Sequence, residues 1–214
     1  GVAQYGVQQK VLLPGFVDLE RDAARTDMER VAHAIRRELD LLLVTARDYG
    51  NWLDTYRFMQ GDNPDYVSAN MTSESLATLR INAIAFITPA GRYIFSAGRD
   101  LESGAALDIE LLNNGTLPEG HPWRTRLRDG EATSGILSTS QGPMLAVLAP
   151  ILDGTGAGPH RGMVLLGRLV TEQEIARIGE QAQVRLSRAA SFPRNTPTST
   201  QAEVLVAGDA FTEV

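Results

Sequence analysis

Residues able to do chemistry are present in this chain, but few stand at the spacings that chemistry needs. Gly154-Thr155-Gly156-Ala157-Gly158 has the composition of a phosphate-cradling loop. A dinucleotide fold requires such glycines to open a helix after a strand, so that the pyrophosphate meets the helix N-terminus. Here Pro159 and another extended segment follow, so the run reads as a flexible hairpin loop. His33, His121 and His160 are widely separated, and none has a second His at metal-ligand spacing. Asp62, Asn63 and Asp65 open like a calcium loop, but Pro64 and the missing Gly and distal Glu break it. No Gly-x-Ser-x-Gly elbow occurs. The absence of Cys removes disulfides, thiolate zinc sites and a cysteine nucleophile. Neither a metal nor a cofactor is expected, and these motifs give a stand-alone hydrolase little support.

Two other features concentrate rings and charge. Asp48-Tyr49-Gly50-Asn51-Trp52-Leu53-Asp54-Thr55-Tyr56-Arg57-Phe58 crowds four aromatics and two carboxylates into about three helical turns. Aromatics at helical spacing are more often core than binding site. Gly50 costs up to ~1 kcal/mol relative to Ala inside a helix, which predicts close packing at that point. The second feature is Arg168, the one charge within the extended segment 162–170. Period-two alternation puts it on the face of Val164, Leu166 and Val170, which should look inward. An inward guanidinium needs an anion. Asp48 and Asp54 are the expected partners if the Trp52 run packs on this strand; the competing reading pairs Arg168 with Glu172 in solvent, where it is worth little.

The elements that must position these residues follow from periodicity. Ala24, Met28, Val31, Ile35, Leu39, Leu42, Ala46, Tyr49, Leu53 and Tyr56 recur at steps of three or four, one stripe of an α-helix. With Val17 at its start it runs to the turn-forming Gly61-Asp62-Asn63-Pro64. Such a helix needs a partner along its length: its own sheet, a second copy, or both. Arg36, Arg37 and Glu38 lie off the stripe and read as solvated surface. A short helix over 73–79, capped by Thr72 or Ser73, comes next. Segments 82–88 and 92–97 read as a hairpin around Pro89-Ala90-Gly91. The polar insert 100–130 contains short helices, one beginning near His121-Pro122-Trp123. Strands over 132–139, 143–152 and 161–170 form a meander, and a helix from Thr171 to Gln181 follows. Segments 184–187 and 203–206 are further candidate strands. The division is residues 1–60 as the long N-terminal helix, with dimerisation along it expected, 61–182 as the domain built on the five strands, and 183–214 as C-terminal strands. A long helix followed by five antiparallel strands is an α+β arrangement that resembles the PAS-like sensor folds. In it, Tyr93, Trp123 and Arg124 are candidate lining residues for a small molecule held between sheet and insert. Their plain alternatives are core for the two rings and surface charge for Arg124.

Composition bounds the partners. The chain has 214 residues, 43% hydrophobic and 21% charged, with a formal net charge of −6. That balance argues against nucleic acid, whose binders concentrate positive charge. The longest nearly apolar run, 143–152, is about half of the ~20 residues that span a bilayer. Starting at Gly1 rather than Met, the chain reads as a piece of a longer protein.

The Asp48-Tyr49-x-x-Trp52-x-Asp54-x-Tyr56-x-Phe58 run resembles the hallmark of the fourth class of CHASE domains. These are extracytoplasmic sensory modules of bacterial and archaeal signalling receptors. Tyr66 and Asn70, Leu76 and Leu79 before Asn82, Gly91 in the hairpin turn, and 162–168 as the last strand match further. The resemblance implies a periplasmic input domain anchored in the inner membrane by flanking segments. The output across the membrane would be a cyclic-di-GMP cyclase or phosphodiesterase, or a histidine kinase. It implies sensing of a small molecule but names no ligand. The expectation is therefore a non-enzymatic, homodimeric sensor that passes signal through its helices, with Asp48, Trp52, Asp54, Tyr56 and Arg168 as structural or signalling residues. A dimerisation spacer without ligand is the alternative.

Overall fold

A computed structural model describes residues 2–186, with side chains from residue 23 onward. The apolar stripe forms a 50-residue helix α1 (Val2–Asn51). Leu39, Leu42, Ala46 and Tyr49 are buried on the expected stripe, and Ala34 is buried beside it. The helix does not continue to Gly61. Trp52 takes an extended conformation (φ −72°, ψ 131°), and a separate helix α2 (Leu53–Gln60) starts after it and ends at the left-handed Gly61. The break rotates the stripe, so Leu53, expected to face inward, is exposed together with Trp52. Gly50 explains why α1 comes so close to the sheet just before the break. A Cβ there would lie 2.2 Å from the Pro150 carbonyl oxygen, and the Gly50 carbonyl accepts the Leu152 N–H at 2.8 Å.

Helix α3 (Tyr66–Asn70) has no counterpart in the sequence reading; Tyr66 anchors it, buried and sharing a 2.6 Å hydrogen bond with the Thr55 hydroxyl. Helix α4 (Ser73–Thr78) is capped by Thr72, whose hydroxyl accepts the Ser75 N–H. The sheet comprises β1 (Ala83–Ile87), β2 (Tyr93–Gly98), β3 (Thr133–Thr139), β4 (Gly142–Pro150) and β5 (Met163–Leu169). All neighbours are antiparallel, in the order β2-β1-β5-β4-β3. The last strand thus enters the middle of the sheet, between the hairpin and the meander. Between β2 and β3 lie the short helices α5 (Glu110–Asn113) and α6 (Arg124–Asp129). Helix α7 (Glu172–Ala182) closes the fold, with Thr171 as its N-cap.

Strict alternation gives each central strand two buried faces. Ile84, Phe86, Leu145, Val147, Val164 and Leu166 pack on α1 through Leu39, Leu42, Ala46 and Tyr49. Ala83, Ala85, Ile87, Met144, Leu148, Met163 and Leu165 pack on the insert through Ile109, Leu112, Leu117, Trp123 and Leu127. Helix α7 lies beside α1, where Ile178 and Ala182 meet Ala34. The expected strand over 184–187 is not formed in its described part. Instead Val184 folds back, its N–H donating to the Gly179 carbonyl, and joins the α1–α7 contact. Segment 203–206 lies outside the described residues.

Candidate functional site

Arg168 points to the α1 side of the sheet, as alternation requires, and it is buried with 6% of its side chain exposed. Its partners are not Asp48 and Asp54, which are both exposed, nor Glu172. Arg168 Nη1 donates to Glu38 Oε2 at 2.7 Å, Nε to the Arg80 carbonyl at 2.9 Å and Nη2 to the Leu79 carbonyl at 3.1 Å. Both carbonyls lie at the C-terminal end of α4, the end of a helix that attracts cations. Glu38 therefore faces inward at 1% exposure, contrary to its expected place on the surface. It also accepts from Arg80 Nη2 at 3.0 Å and, through Oε1, from Gln181 Nε2 at 2.7 Å. Arg80 Nη1 in turn donates to both Glu174 oxygens, at 2.7 and 3.0 Å. Burial pushes the Glu38 carboxyl up, but the Gln181 hydrogen bond and the Arg80 and Arg168 charges outweigh it and hold its pKa below the ordinary value.

Two cations and two anions thus join α1 (Glu38), the end of α4 (Arg80), β5 (Arg168) and α7 (Glu174). Arg80 holds a left-handed backbone conformation, φ 54°. Such a conformation is costly for a residue with a Cβ and persists when the surroundings over-determine it. A cleft of about 540 Å³ opens on this cluster, bounded by Asn82, the 100–102 turn and the first turns of α7. Gln173 crosses its mouth to Glu102 at 2.8 Å.

The three residues expected to line a pocket beneath the insert do come together, but the fold uses them. Trp123 is buried in the insert core. Tyr93 donates to the Leu111 carbonyl at 2.8 Å, and burial pushes its hydroxyl up to about 12. Arg124 donates to the carbonyls of Ala90 and Pro118 and to the Thr116 hydroxyl. It lies across Gly91, where a Cβ would collide with its guanidinium. In the aromatic run, Tyr49 and Phe58 join the core; Phe58 stacks on Tyr66 at 5.0 Å. Trp52 leans on Tyr49 at 4.7 Å, and Tyr56 receives the Arg161 Nε–H at 3.0 Å. The glycine loop is a hairpin loop turned by Asp153, which accepts from the Thr155 N–H and hydroxyl. Among the described residues no three His, Cys, Asp or Glu side chains gather as a metal site.

Sequence reasoning missed Glu38, Arg80 and Glu174. A signal existed for Glu38: it stands four residues from both Ala34 and Leu42, on the edge of the buried stripe. No local pattern marks Arg80.

The architecture, a long N-terminal helix on a five-stranded antiparallel sheet, is the PAS-like fold. It superposes with a TM-score of 0.53 on a domain described as the extracellular part of the histidine kinase vpHK1S-Z8, at 14% identity, over 74% of this chain and 60% of that one. A domain of a sensory box/GGDEF family protein from Vibrio parahaemolyticus gives the same score at 12% identity, over 74% and 63% of the two chains. In sequence, residues 34–188 match the CHASE4 domain, and the chain belongs to that family of sensor domains. The methanogenesis regulatory histidine kinase FilI of Methanothrix harundinacea (strain 6Ac) is 24% identical over 178 residues, 82% of this chain. The chain spans 20% of the length of that relative. All four residues of the ion cluster fall inside the family match. Among the described residues no helix is long and apolar enough to cross a membrane.

Proposed function

We propose that this CHASE4 domain is the extracytoplasmic, non-catalytic input module of a membrane-bound signalling receptor. It senses a small molecule and transmits the event through α1 and α7 to a cytoplasmic output domain. The observation that carries this reading is the Glu38–Arg80–Arg168–Glu174 cluster, which ties both helices to one central strand. A displacement at the sheet or at the end of α4 reaches α1 and α7 together, because an unpaired buried charge is too costly to leave behind. FilI, a regulatory histidine kinase, and the GGDEF-family neighbour support the choice of output: a histidine kinase, or an enzyme making or degrading cyclic-di-GMP.

The test is Glu38→Gln in the membrane-anchored receptor, with phosphoryl transfer or cyclic-di-GMP level as readout and folding checked by circular dichroism. A folded variant whose output no longer responds to stimulus supports transmission through the cluster; a normal response rejects it. Flanking apolar runs of ~20 residues on both sides are expected, and their absence removes the receptor reading. A structural spacer that binds no ligand is the second reading, favoured by one observation: side chains fill the space between sheet and insert.

A further inference from the structure

We propose that the cleft above the ion cluster binds a small zwitterion bearing one carboxylate and one ammonium group, the chemistry of a free amino acid. This deepens the input-module reading and rests on it. The lining is divided by charge. Arg80, Arg168 and Arg177 converge on Glu174, while Glu38 also accepts from Arg168. Three guanidiniums against two carboxylates leave this group one positive charge in excess. Arg80 is the residue through which the cluster reaches solvent: its side chain is 29% exposed, against 8% or less for Glu38, Arg168 and Glu174. Its two terminal nitrogens are engaged, whereas its Nε–H makes no hydrogen bond among the described residues. Arg177, half exposed, meets Glu174 only at 3.3 Å.

The other ionic side chains of the lining carry the opposite sign. Asp100, Glu102 and Glu172 line the cleft, and Gln173 reaches one Glu102 oxygen. A cavity of this size suits a small molecule, and a single-charge ligand would be repelled by one wall or the other. A carboxylate on Arg80 and Arg177, with an ammonium toward Glu102 and Glu172, satisfies both. The consequence for signalling is direct. A ligand carboxylate competes with Glu174 for Arg80 and Arg177, so binding loosens α7 from α4 and β5 while Glu38 still holds Arg168.

The experiment uses the full 214-residue chain in a thermal-shift screen against the twenty proteinogenic amino acids, followed by titration calorimetry of any that bind. Each binder is compared with its decarboxylated amine and its deaminated acid. The expected result is at least one amino acid that binds, with both analogues weaker by tenfold or more. Arg177→Ala and Glu102→Ala should each weaken it at least tenfold without lowering the melting temperature of the free protein, since both residues are exposed. No binding by any amino acid overturns the proposal, as does binding that both variants leave unchanged. Affinity lowered instead by Tyr93→Phe would move the site beneath the insert and equally reject the cleft. A silent screen leaves the receptor reading to its own output assay, so the two can fail separately.

Discussion

Arg168 shows how a single buried charge organises its surroundings. Its guanidinium donates to one carboxylate and two carbonyls, and every one of those acceptors is held by a different part of the chain than β5. Replacing it with Met leaves Glu38 buried with less compensation and strips two carbonyls of their donor. Breaking one side of a buried pair typically costs ~3–5 kcal/mol, whereas an exposed pair loses under ~1. Denaturant melts of Arg168→Met should therefore show a loss in the upper range; a loss below ~1 kcal/mol would contradict the buried pairing. Glu38 adds a pH signature. Its pKa in the folded chain lies below the ordinary value of 4.5, so its contribution is complete above that value and is lost as pH falls through the folded one. Glu38→Gln should be less stable than the parent at pH 7, and the gap should close on acidification below about 4.5. A gap that stays constant down to pH 3 would mean that Glu38 does not titrate with folding.

Among the elements, the contact of α1 with β4 depends on one glycine. Ala is the better helix former than Gly by up to ~1 kcal/mol, so helix propensity alone predicts that Gly50→Ala stabilises. The packing predicts the opposite, because the new Cβ would sit 2.2 Å from a backbone oxygen of Pro150, which cannot swing aside as a side chain tip can. Overpacking a tight contact costs ~1–3 kcal/mol, more than the propensity gain. Gly50→Ala should lower the denaturant midpoint, and an increase would show that α1 is free to move away from β4. The α1–α2 break next to it was hidden from periodicity. The stripe continues through Leu53 and Tyr56 in sequence, and nothing in the residue types marks Trp52 as extended.

At the scale of the whole molecule, α1 carries apolar side chains that its own sheet does not cover. The stripe residues Leu39, Leu42, Ala46 and Tyr49 are consumed by the chain's own sheet, so a homodimer in this part of the helix must use another face. Leu41 and Val44, 60% and 54% exposed, lie on the outer side of α1. We propose a parallel pairing of two receptors along this side. The chain has no Cys, so a single Val44→Cys substitution reports alone. In the membrane-anchored receptor it should give a disulfide-linked dimer under oxidation; only monomer would exclude pairing along α1 at this height. A monomeric soluble fragment would carry no weight, because anchoring raises the effective concentration of the two copies.

Periodicity and local composition were enough to determine that a long helix, a hairpin, an insert with short helices, a three-stranded meander and a last helix follow in that order, since each is written in spacing and turn residues local to its own segment; they did not determine the break of the long helix at Trp52. They also determined that Arg168 faces inward and that Gly50 marks a close approach, one from alternation and the other from the cost of Gly in a helix. The aromatic run was enough to point to the family. Tertiary structure alone decided that Glu38 and Glu174, rather than Asp48 and Asp54, meet Arg168. Those partners are 130 residues apart for Glu38, and their meeting depends on where β5 enters the sheet and on the angle at which α1 crosses it. It alone decided the left-handed turn that brings Arg80 between two carboxylates. Charge pairing between distant elements has no period in sequence. It follows from strand order and helix placement, which are set by burying two apolar faces at once.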